Sequence, residues 1–141
     1  MARIFWDTNL FIYLLEDHPT YGAAVEAVRR RMLERGDLLF TSALTVGEIL
    51  VKPIASGRSD MEHLYASFFQ RPGITVLPFD LAVARTYAQV RQDRTIRPPD
   101  AIQLACAATQ QIDLFITNDD RLSQKVVPGV QFITGLERAP I

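Results

Sequence analysis

Residues 3–9 read Arg-Ile-Phe-Trp-Asp-Thr-Asn, a short apolar run that ends in a carboxylate. The apolar residues 4–6 predict a buried strand, and the apolar-rich segment 8–15 predicts a helix directly after it. Asp7 is therefore expected at the carboxyl end of a strand, which is where open α/β sheets bind their ligands.

Strand and helix patterns alternate along the rest of the chain. Further strands are predicted at 38–40, 74–77, 114–117 and 130–133. Further helices are predicted at 21–35, around Glu48 with Pro53 and Gly57 closing that helix, and at 60–70, 80–92, 100–108 and 120–125. This alternation indicates an α/β fold with a central parallel β-sheet flanked by helices on both faces. No repeat or linker divides the chain, so one domain over residues 1–141 is expected.

The composition is that of a globular protein, and no membrane span is expected. The chain has 141 residues, of which 48% are hydrophobic and 22% charged, and its net charge of −1 does not favour a nucleic-acid partner. No apolar run approaches the ~20 residues of a membrane span. The first residues show neither the apolar core nor the cleavage site of a signal peptide, so none is expected. The single cysteine, Cys106, is predicted to be buried and inert. We expect a cytoplasmic location.

Two carboxylates interrupt segments that otherwise look like core. Glu48 stands in the apolar stretch 44–51, three residues from Thr45 and therefore on the same helical face. Asp100 opens an apolar helix and forms a narrow polar stripe with Gln103. Ordinary explanations exist, because a lone carboxylate can pair with an arginine and an aspartate at a helix start can simply stabilise the N-terminus.

A further carboxylate, Asp119, follows the predicted strand 114–117 as Asp7 follows the first strand. Either residue alone could cap a helix or form a turn. Strand ends and helix starts meet at one edge of a parallel sheet, however, so we expect all of these side chains to converge there. Asp120 adjoins the position and could share its role.

A cluster of carboxylates requires either a cation or raised pKa values. Two unit charges ~5 Å apart repel by roughly 3 kcal/mol at an effective dielectric of about 20. Three such groups would cost on the order of 10 kcal/mol, which is comparable with the net stability of a domain. Ligands that are all oxygen select hard ions, so Mg²⁺ or Mn²⁺ is expected rather than zinc. An ion held in this way can activate water to hydrolyse a phosphate ester.

These motifs resemble the PIN-domain nucleases, and more closely the VapC-type ribonuclease toxins of bacterial and archaeal toxin–antitoxin pairs. The matching segments are Asp7-Thr8-Asn9 after the first strand, Glu48 on its helix, Pro99-Asp100-Ala101 at a helix start, and Thr117-Asn118-Asp119 after a strand. The resemblance covers essentially the whole chain. It implies a PIN-like domain with the activity of a Mg²⁺- or Mn²⁺-dependent endoribonuclease.

The resemblance also assigns roles to residues. It implies that four carboxylates are catalytic and hold the metal directly or through water, namely Asp7, Glu48, Asp100 and Asp119. Asp120 is implied as a further, less certain ligand. The positioning residues that it implies are Thr8, Asn9 and Thr117. It further implies an RNA substrate, a homodimer, and inhibition by a cognate antitoxin whose C-terminal segment occupies a groove of the toxin.

Two groups of arginines are candidates for RNA contacts. Arg91, Arg94 and Arg97 lead directly into the helix that starts with Asp100, and a cluster of four lies within residues 29–35. Such groups can grip phosphates without selecting sequence, but they can equally form a solvated helix face.

Three alternative functions stay open on the sequence. A haloacid-dehalogenase-type phosphatase would need an aspartate two positions after Asp7, where this chain has Asn9. A non-catalytic RNA- or protein-binding module could keep the fold without the chemistry. A DNA-directed relative similar to flap endonucleases would need elements for which the chain is short.

Overall fold

Every predicted strand is present in the structure, a computed structural model that describes residues 1–141. The five strands are β1 (Arg3–Trp6), β2 (Leu38–Ser42), β3 (Ile74–Leu77), β4 (Ile112–Thr117) and β5 (Val130–Gly135). The six α-helices are α1 (Thr8–Leu15), α2 (Gly22–Arg35), α3 (Ala43–Ala55), α4 (Ser59–Phe68), α5 (Leu81–Val90) and α6 (Pro98–Thr109). Two short 3₁₀ helices cover Leu122–Gln124 and Leu136–Arg138.

The strands form one parallel sheet in the order β3-β2-β1-β4-β5. The chain adds β2 and β3 on one side of β1, and then returns to add β4 and β5 on the other side. The strand order therefore reverses between β1 and β4. At such a switch point the connections after the two strands leave in opposite directions, and a crevice opens above the carboxyl ends of the strands.

Helices cover both faces of the sheet, as the alternating pattern predicts. Ile4 and Trp6 of β1 point into a core that contains residues of α1, α2, α3 and α4, whereas Phe5 points into a second core with α5 and α6. The Phe5 ring stacks on Phe115 of β4 with ring centroids 4.9 Å apart. Both cores are apolar, and successive side chains of a strand feed opposite faces. This is the α/β architecture expected from the sequence.

Several predicted boundaries differ from the structure by a few residues, and three of the differences are informative. Pro53 lies inside α3 and is buried there, so packing of its ring offsets the backbone hydrogen bond that proline cannot donate. Strand β4 begins at Ile112 because the Asp113 carboxylate accepts the backbone N–H of Arg3 at 2.8 Å, a tertiary contact that makes a charged residue acceptable in the strand. The helix predicted at 120–125 is only the 3₁₀ turn at 122–124.

None of the helices has the length and apolar character that a membrane crossing requires. Cys106 is buried as predicted, and burial raises the pKa of its thiol to about 11, which leaves it protonated at neutral pH.

The turn before β5 depends on a glycine, and its substitution is a test of the packing between β5 and α6. At Gly129, φ is +94° and an added Cβ would lie 2.6 Å from the Ala108 carbonyl oxygen. We expect Gly129→Ala to lower the free energy of unfolding by about 3 kcal/mol or more, from backbone strain and a steric clash together. Urea unfolding of the purified variant measures this directly.

The matched control is Gly36→Ala at the end of α2, where φ is +74° but nothing lies within 4 Å of the added Cβ. Only the cost of a left-handed backbone remains there, about 1–2 kcal/mol. Equal losses in the two variants would show that the contact with Ala108 does not matter.

Candidate functional site

Asp7 lies at the switch point and is only 8% exposed. Its backbone N–H donates to the carbonyl oxygen of Ile116 at 3.0 Å, which extends the pairing of β1 with β4 by one residue. The carboxylate is the N-cap of α1: Oδ1 accepts the backbone N–H of Thr8 at 2.9 Å, and Oδ2 accepts the Thr117 hydroxyl at 2.9 Å. Two strand ends and a helix start therefore fix the orientation of this side chain.

The folded protein disfavours the ionised form of Asp7. Burial raises the pKa of Asp7 from 3.8 to about 6, although the hydrogen bonds from Thr117 and Thr8 act in the opposite direction. The nearby negative charges of Asp100 and Glu48 raise it further. The structure therefore brings these three carboxylates close enough to repel one another.

A buried hydrogen-bond network joins Glu48 to the rest of the site. The Thr8 hydroxyl donates to Glu48 Oε1 at 2.7 Å and accepts Gln103 Nε2 at 2.9 Å. The Gln103 amide also donates to the Thr45 hydroxyl at 2.7 Å and accepts the hydroxyl of Ser42. Because Thr8, Thr45 and Gln103 belong to α1, α3 and α6, this network fixes the three helices relative to one another beneath the carboxylates.

On the other side of the crevice, Asp100 and Asp119 face two arginines. Burial raises the pKa of Asp100, as does the charge of Asp119, whereas Arg97 and Arg121 lower it. Arg121 approaches Asp119 at 3.7 Å between Nε and Oδ1, and its backbone N–H donates to the same carboxylate at 3.0 Å. A small depression between β4 and α6 is lined by all four of these residues.

The other predicted site residues are placed differently. Asn9 is exposed and has no side-chain hydrogen bond. Asp120 lines a separate polar depression together with Tyr21. Arg91 donates to the Ile96 carbonyl oxygen at 2.7 Å and thus supports the loop before α6, whereas Arg94 is exposed. The geometry brings Thr8 and Thr117 to the carboxylates, but not Asn9 or Asp120.

Helix α3 is more exposed than its apolar sequence indicates. Val51 and Ile54 are 65% and 57% exposed, and the helix buries only Thr45, Ile49 and Pro53. The expectation that Glu48 interrupts a core segment is therefore wrong, because Glu48 itself is on the exposed part of the helix. What singles it out is its hydrogen bond from Thr8.

Two residues with clear roles at the site were not among the predicted ones. The sequence marks Gln103 only as a polar neighbour of Asp100, whereas its 1% exposure shows that its amide lies within the core. A polar residue in the apolar run 101–108 was the available signal. Arg121 had no such signal, because its proximity to Asp100 arises only when β4 and α6 pack together.

The donor set fits a hard divalent cation. Asp7, Glu48 and Asp100 form no salt bridge, and Asp119 alone pairs with an arginine. A cation would relieve the repulsion that the three unpaired carboxylates exert on one another. No three acidic, histidine or cysteine side chains are arranged to hold one ion directly. Ligation partly through water therefore suits this geometry, and Mg²⁺ usually keeps several waters.

The fold and the acidic crevice define the class of the protein: a parallel α/β domain with carboxylates gathered at its switch point. A family model described as PIN domain matches residues 4–127. The chain belongs to the PIN domain family. Curated proteins include no match to this sequence.

Solved structures of similar fold come from toxin–antitoxin complexes. A chain in the VapBC2 complex of Rickettsia felis bound to promoter DNA aligns with a TM-score of 0.73 at 14% identity, covering 94% of this chain and 98% of that one. A chain in the DNA-bound VapBC of Salmonella typhimurium aligns at 0.71 and 20% identity, covering 96% and 99%. One in VapBC-5 of Mycobacterium tuberculosis aligns at 0.61 and 22%, covering 95% and 99%. At these identities the likeness concerns the fold.

The raised pKa of Asp7 predicts how stability varies with pH when metal is removed. A carboxyl group whose pKa is higher in the folded state favours folding while it is protonated, and this contribution is lost as pH rises from about 4 through about 6. A shift of this size corresponds to roughly 3 kcal/mol. We expect Asp7→Asn to remove this decrease in the free energy of unfolding. At pH 7 in EDTA the variant should therefore unfold at a higher urea concentration than the wild type.

The control is Asp17→Asn, an exposed residue of positive φ that asparagine also tolerates. Its stability should follow the wild-type pH profile. Urea midpoints between pH 4 and 7.5 for the three proteins give the comparison. If the urea midpoints of wild type and Asp7→Asn varied with pH in the same way, the pKa of Asp7 would not be raised by folding.

The network beneath the site predicts a second effect. Gln103→Leu leaves the hydroxyls of Thr8, Thr45 and Ser42 without their amide partner in a buried place. We expect a loss of roughly 2–4 kcal/mol in the free energy of unfolding. We also expect weaker Mn²⁺ binding, because the Gln103 amide no longer orients the Thr8 hydroxyl that donates to Glu48. Calorimetric titration with Mn²⁺ measures the second effect, and exposed Gln89→Leu is the control. Unchanged Mn²⁺ affinity in a folded Gln103→Leu protein would refute the link.

Proposed function

We propose that this protein is a metal-dependent endoribonuclease and the toxin of a toxin–antitoxin pair, formed by one PIN-like domain over residues 1–141 and acting in the cytoplasm. The observation that carries the proposal is the group of carboxylates at the switch point, three of which form no salt bridge in the protein. Repulsion among these carboxylates lowers the stability of the folded protein, and a bound cation would relieve that repulsion.

The proposed ligands of Mg²⁺ or Mn²⁺ are Asp7, Glu48, Asp100 and Asp119, with Asp120 a less direct participant because it lines a separate depression. When bound, the ion would supply activation of water and neutralisation of charge on the phosphate. The protein's part is orientation: Thr8 and Thr117 donate to Asp7, and Thr8 also donates to Glu48. Asn9, which is exposed, is the third proposed positioning residue, after Thr8 and Thr117.

Arginines beside the carboxylates are the proposed contacts for RNA phosphates. Arg97 and Arg121 line the depression that contains Asp100 and Asp119, so a phosphodiester placed over the carboxylates would lie within their reach. Arg94 is exposed on the same approach to α6, whereas Arg91 is engaged with the backbone of Ile96. We therefore expect Arg97 to matter more for RNA binding than Arg91.

The proposed partners are an antitoxin and a second copy of the chain. The solved structures of similar fold are described as VapBC toxin–antitoxin complexes, which supports an antitoxin as the natural inhibitor. A homodimer is proposed from the family resemblance. A phosphatase of the haloacid dehalogenase type does not agree with membership of the PIN family. A non-catalytic binding module is the second candidate, because no three acidic, histidine or cysteine side chains are arranged to hold one ion directly.

The decisive experiment is cleavage of RNA by the purified protein with EDTA, Mg²⁺ or Mn²⁺. We expect cleavage only with metal, and a loss on the order of 10³-fold in Asp7→Asn and Asp100→Asn, because a metal ion contributes several kcal/mol to such a reaction. Asp17→Asn is the matched control and should cleave normally. Sequencing the ends of cellular transcripts after induction would identify the target.

Two outcomes would contradict the proposal. Wild-type cleavage rates in Asp7→Asn would exclude the acidic site. Binding of Mn²⁺ without cleavage of any cellular RNA, in a preparation freed of antitoxin, would favour the non-catalytic module.

A further inference from the structure

A polar depression adjoins the candidate metal site. Its volume is about 510 Å³, within the range of known ligand sites, and only three of its eleven lining residues are hydrophobic. Asn118 and Asp120 line it, whereas Asp119 between them lines the depression that contains Arg97 and Arg121. Because consecutive Cα atoms are about 3.8 Å apart, the two depressions lie close together. A nucleotide chain with a phosphate at the carboxylates would therefore bring a base within reach of the polar depression.

One part of the lining is aromatic. Tyr21, the residue before α2, lines the depression and is half-buried. Its ring stacks with that of His18 at a centroid distance of 5.3 Å, and its centroid lies 4.9 Å from that of Tyr13. The Tyr13 hydroxyl accepts the Asn118 amide at 3.1 Å, which connects these rings to the loop after β4. Aromatic side chains held in this way are the surfaces against which unpaired RNA bases pack.

The 3₁₀ turn after β5 contributes two side chains of opposite charge. Glu137 and Arg138 both line the depression and are exposed. Neither of them forms a salt bridge, with each other or with any other residue. A carboxylate can accept two parallel N–H donors, and a guanidinium can donate to two adjacent acceptors. The turn therefore offers a pair of acceptors and a pair of donors to one ligand.

Guanine is the base whose edges match this pair of side chains. It presents the N1–H and N2–H donors on one edge and the O6 and N7 acceptors beside them. Adenine carries an amino group where guanine carries O6, so adenine would place a donor against the arginine. The pyrimidines lack the second ring and therefore have no counterpart of the N7 acceptor.

We propose that this depression binds a guanine base of the RNA substrate, beside the phosphodiester that is cleaved. Glu137 accepts the guanine N1–H and N2–H, Arg138 donates to O6 and N7, and the base packs against Tyr21. A phosphate fits less well, because Asp120 and Glu137 both line the depression. The proposal rests on the nuclease function proposed above and extends it, because it names the base that the enzyme selects.

The test measures binding of short fluorescein-labelled RNAs to the full chain in EDTA, where we expect no cleavage. Each RNA is a uridine oligonucleotide with guanine, inosine, adenine or uracil at its centre. Inosine lacks only the N2 amino group of guanine. We expect guanine to bind roughly tenfold more tightly than adenine or uracil, with inosine between them. Repulsion between phosphates and carboxylates is common to all four RNAs, so the ratio of affinities, measured by fluorescence anisotropy, isolates the base.

Variants of the protein separate the two contacts. Glu137→Gln should abolish the preference for guanine over inosine, because the glutamine amide places its own donor against one of the two N–H groups. Arg138→Met should weaken guanine and inosine alike and bring both close to adenine, because O6 and N7 are common to them. The matched controls are Glu34→Gln and Arg85→Met, at exposed residues that do not line the depression, and they should change neither ratio.

Two further measurements locate the base. Amide resonances of Thr134 and Gly135, which line the depression, should shift when the guanine RNA is added and shift less with the uracil RNA. Tyr21→Leu should weaken all four RNAs by roughly tenfold, the usual contribution of one aromatic contact, whereas Tyr21→Phe should not. If Tyr21→Leu unfolds, the exposed Glu137 and Arg138 decide the question alone.

Equal affinities for the guanine and adenine RNAs would overturn the proposal, as would a guanine preference that survives both Glu137→Gln and Arg138→Met. Displacement of the guanine RNA by an equal concentration of guanosine monophosphate would also overturn it, because the ligand would then be a free nucleotide. Cleavage of the same RNAs with Mg²⁺ is measured in parallel. A guanine preference in EDTA without any cleavage would contradict the nuclease function and leave the base site standing, whereas cleavage without a base preference would contradict only the base site.

Discussion

The buried charge of Asp7 is the constraint on which the candidate site depends. A carboxylate this deep would tend to be neutral, and two further carboxylates nearby make its ionisation harder still. The fold tolerates it because the Thr8 backbone N–H and the Thr117 hydroxyl orient both oxygens. A buried, firmly oriented carboxylate with a raised pKa is typical of functional sites, which agrees with the metal-binding role proposed for Asp7.

Charge is distributed unevenly over the surface. The crevice at the strand ends gathers Asp7, Glu48 and Asp100, which form no salt bridge, beside Asp119, which pairs with Arg121. Within the whole chain the charges nearly cancel, with 15 basic and 16 acidic residues. The net charge therefore does not reveal this acidic crevice.

Much of the architecture was readable from local patterns. The apolar run 4–6 and the similar short apolar runs later in the chain predicted every strand, since a buried parallel strand is a short apolar segment between turn-forming residues. The ends were less certain: β4 starts earlier because Asp113 meets the backbone of Arg3, and α3 continues through Pro53 because its ring is buried. Such contacts join residues far apart in the chain, which no local pattern contains.

By itself, the sequence determined the parallel α/β class and the presence of carboxylates after β1 and β4, because periodicity and strand ends are local properties. Only the tertiary structure decided which groups surround them. Gln103 links Thr8 and Thr45 by hydrogen bonds, and Arg121 lies beside Asp119. Asp120 lines a different depression. The physical reason is that hydrogen bonds and ion pairs act over a few ångströms of space, whatever the separation along the chain.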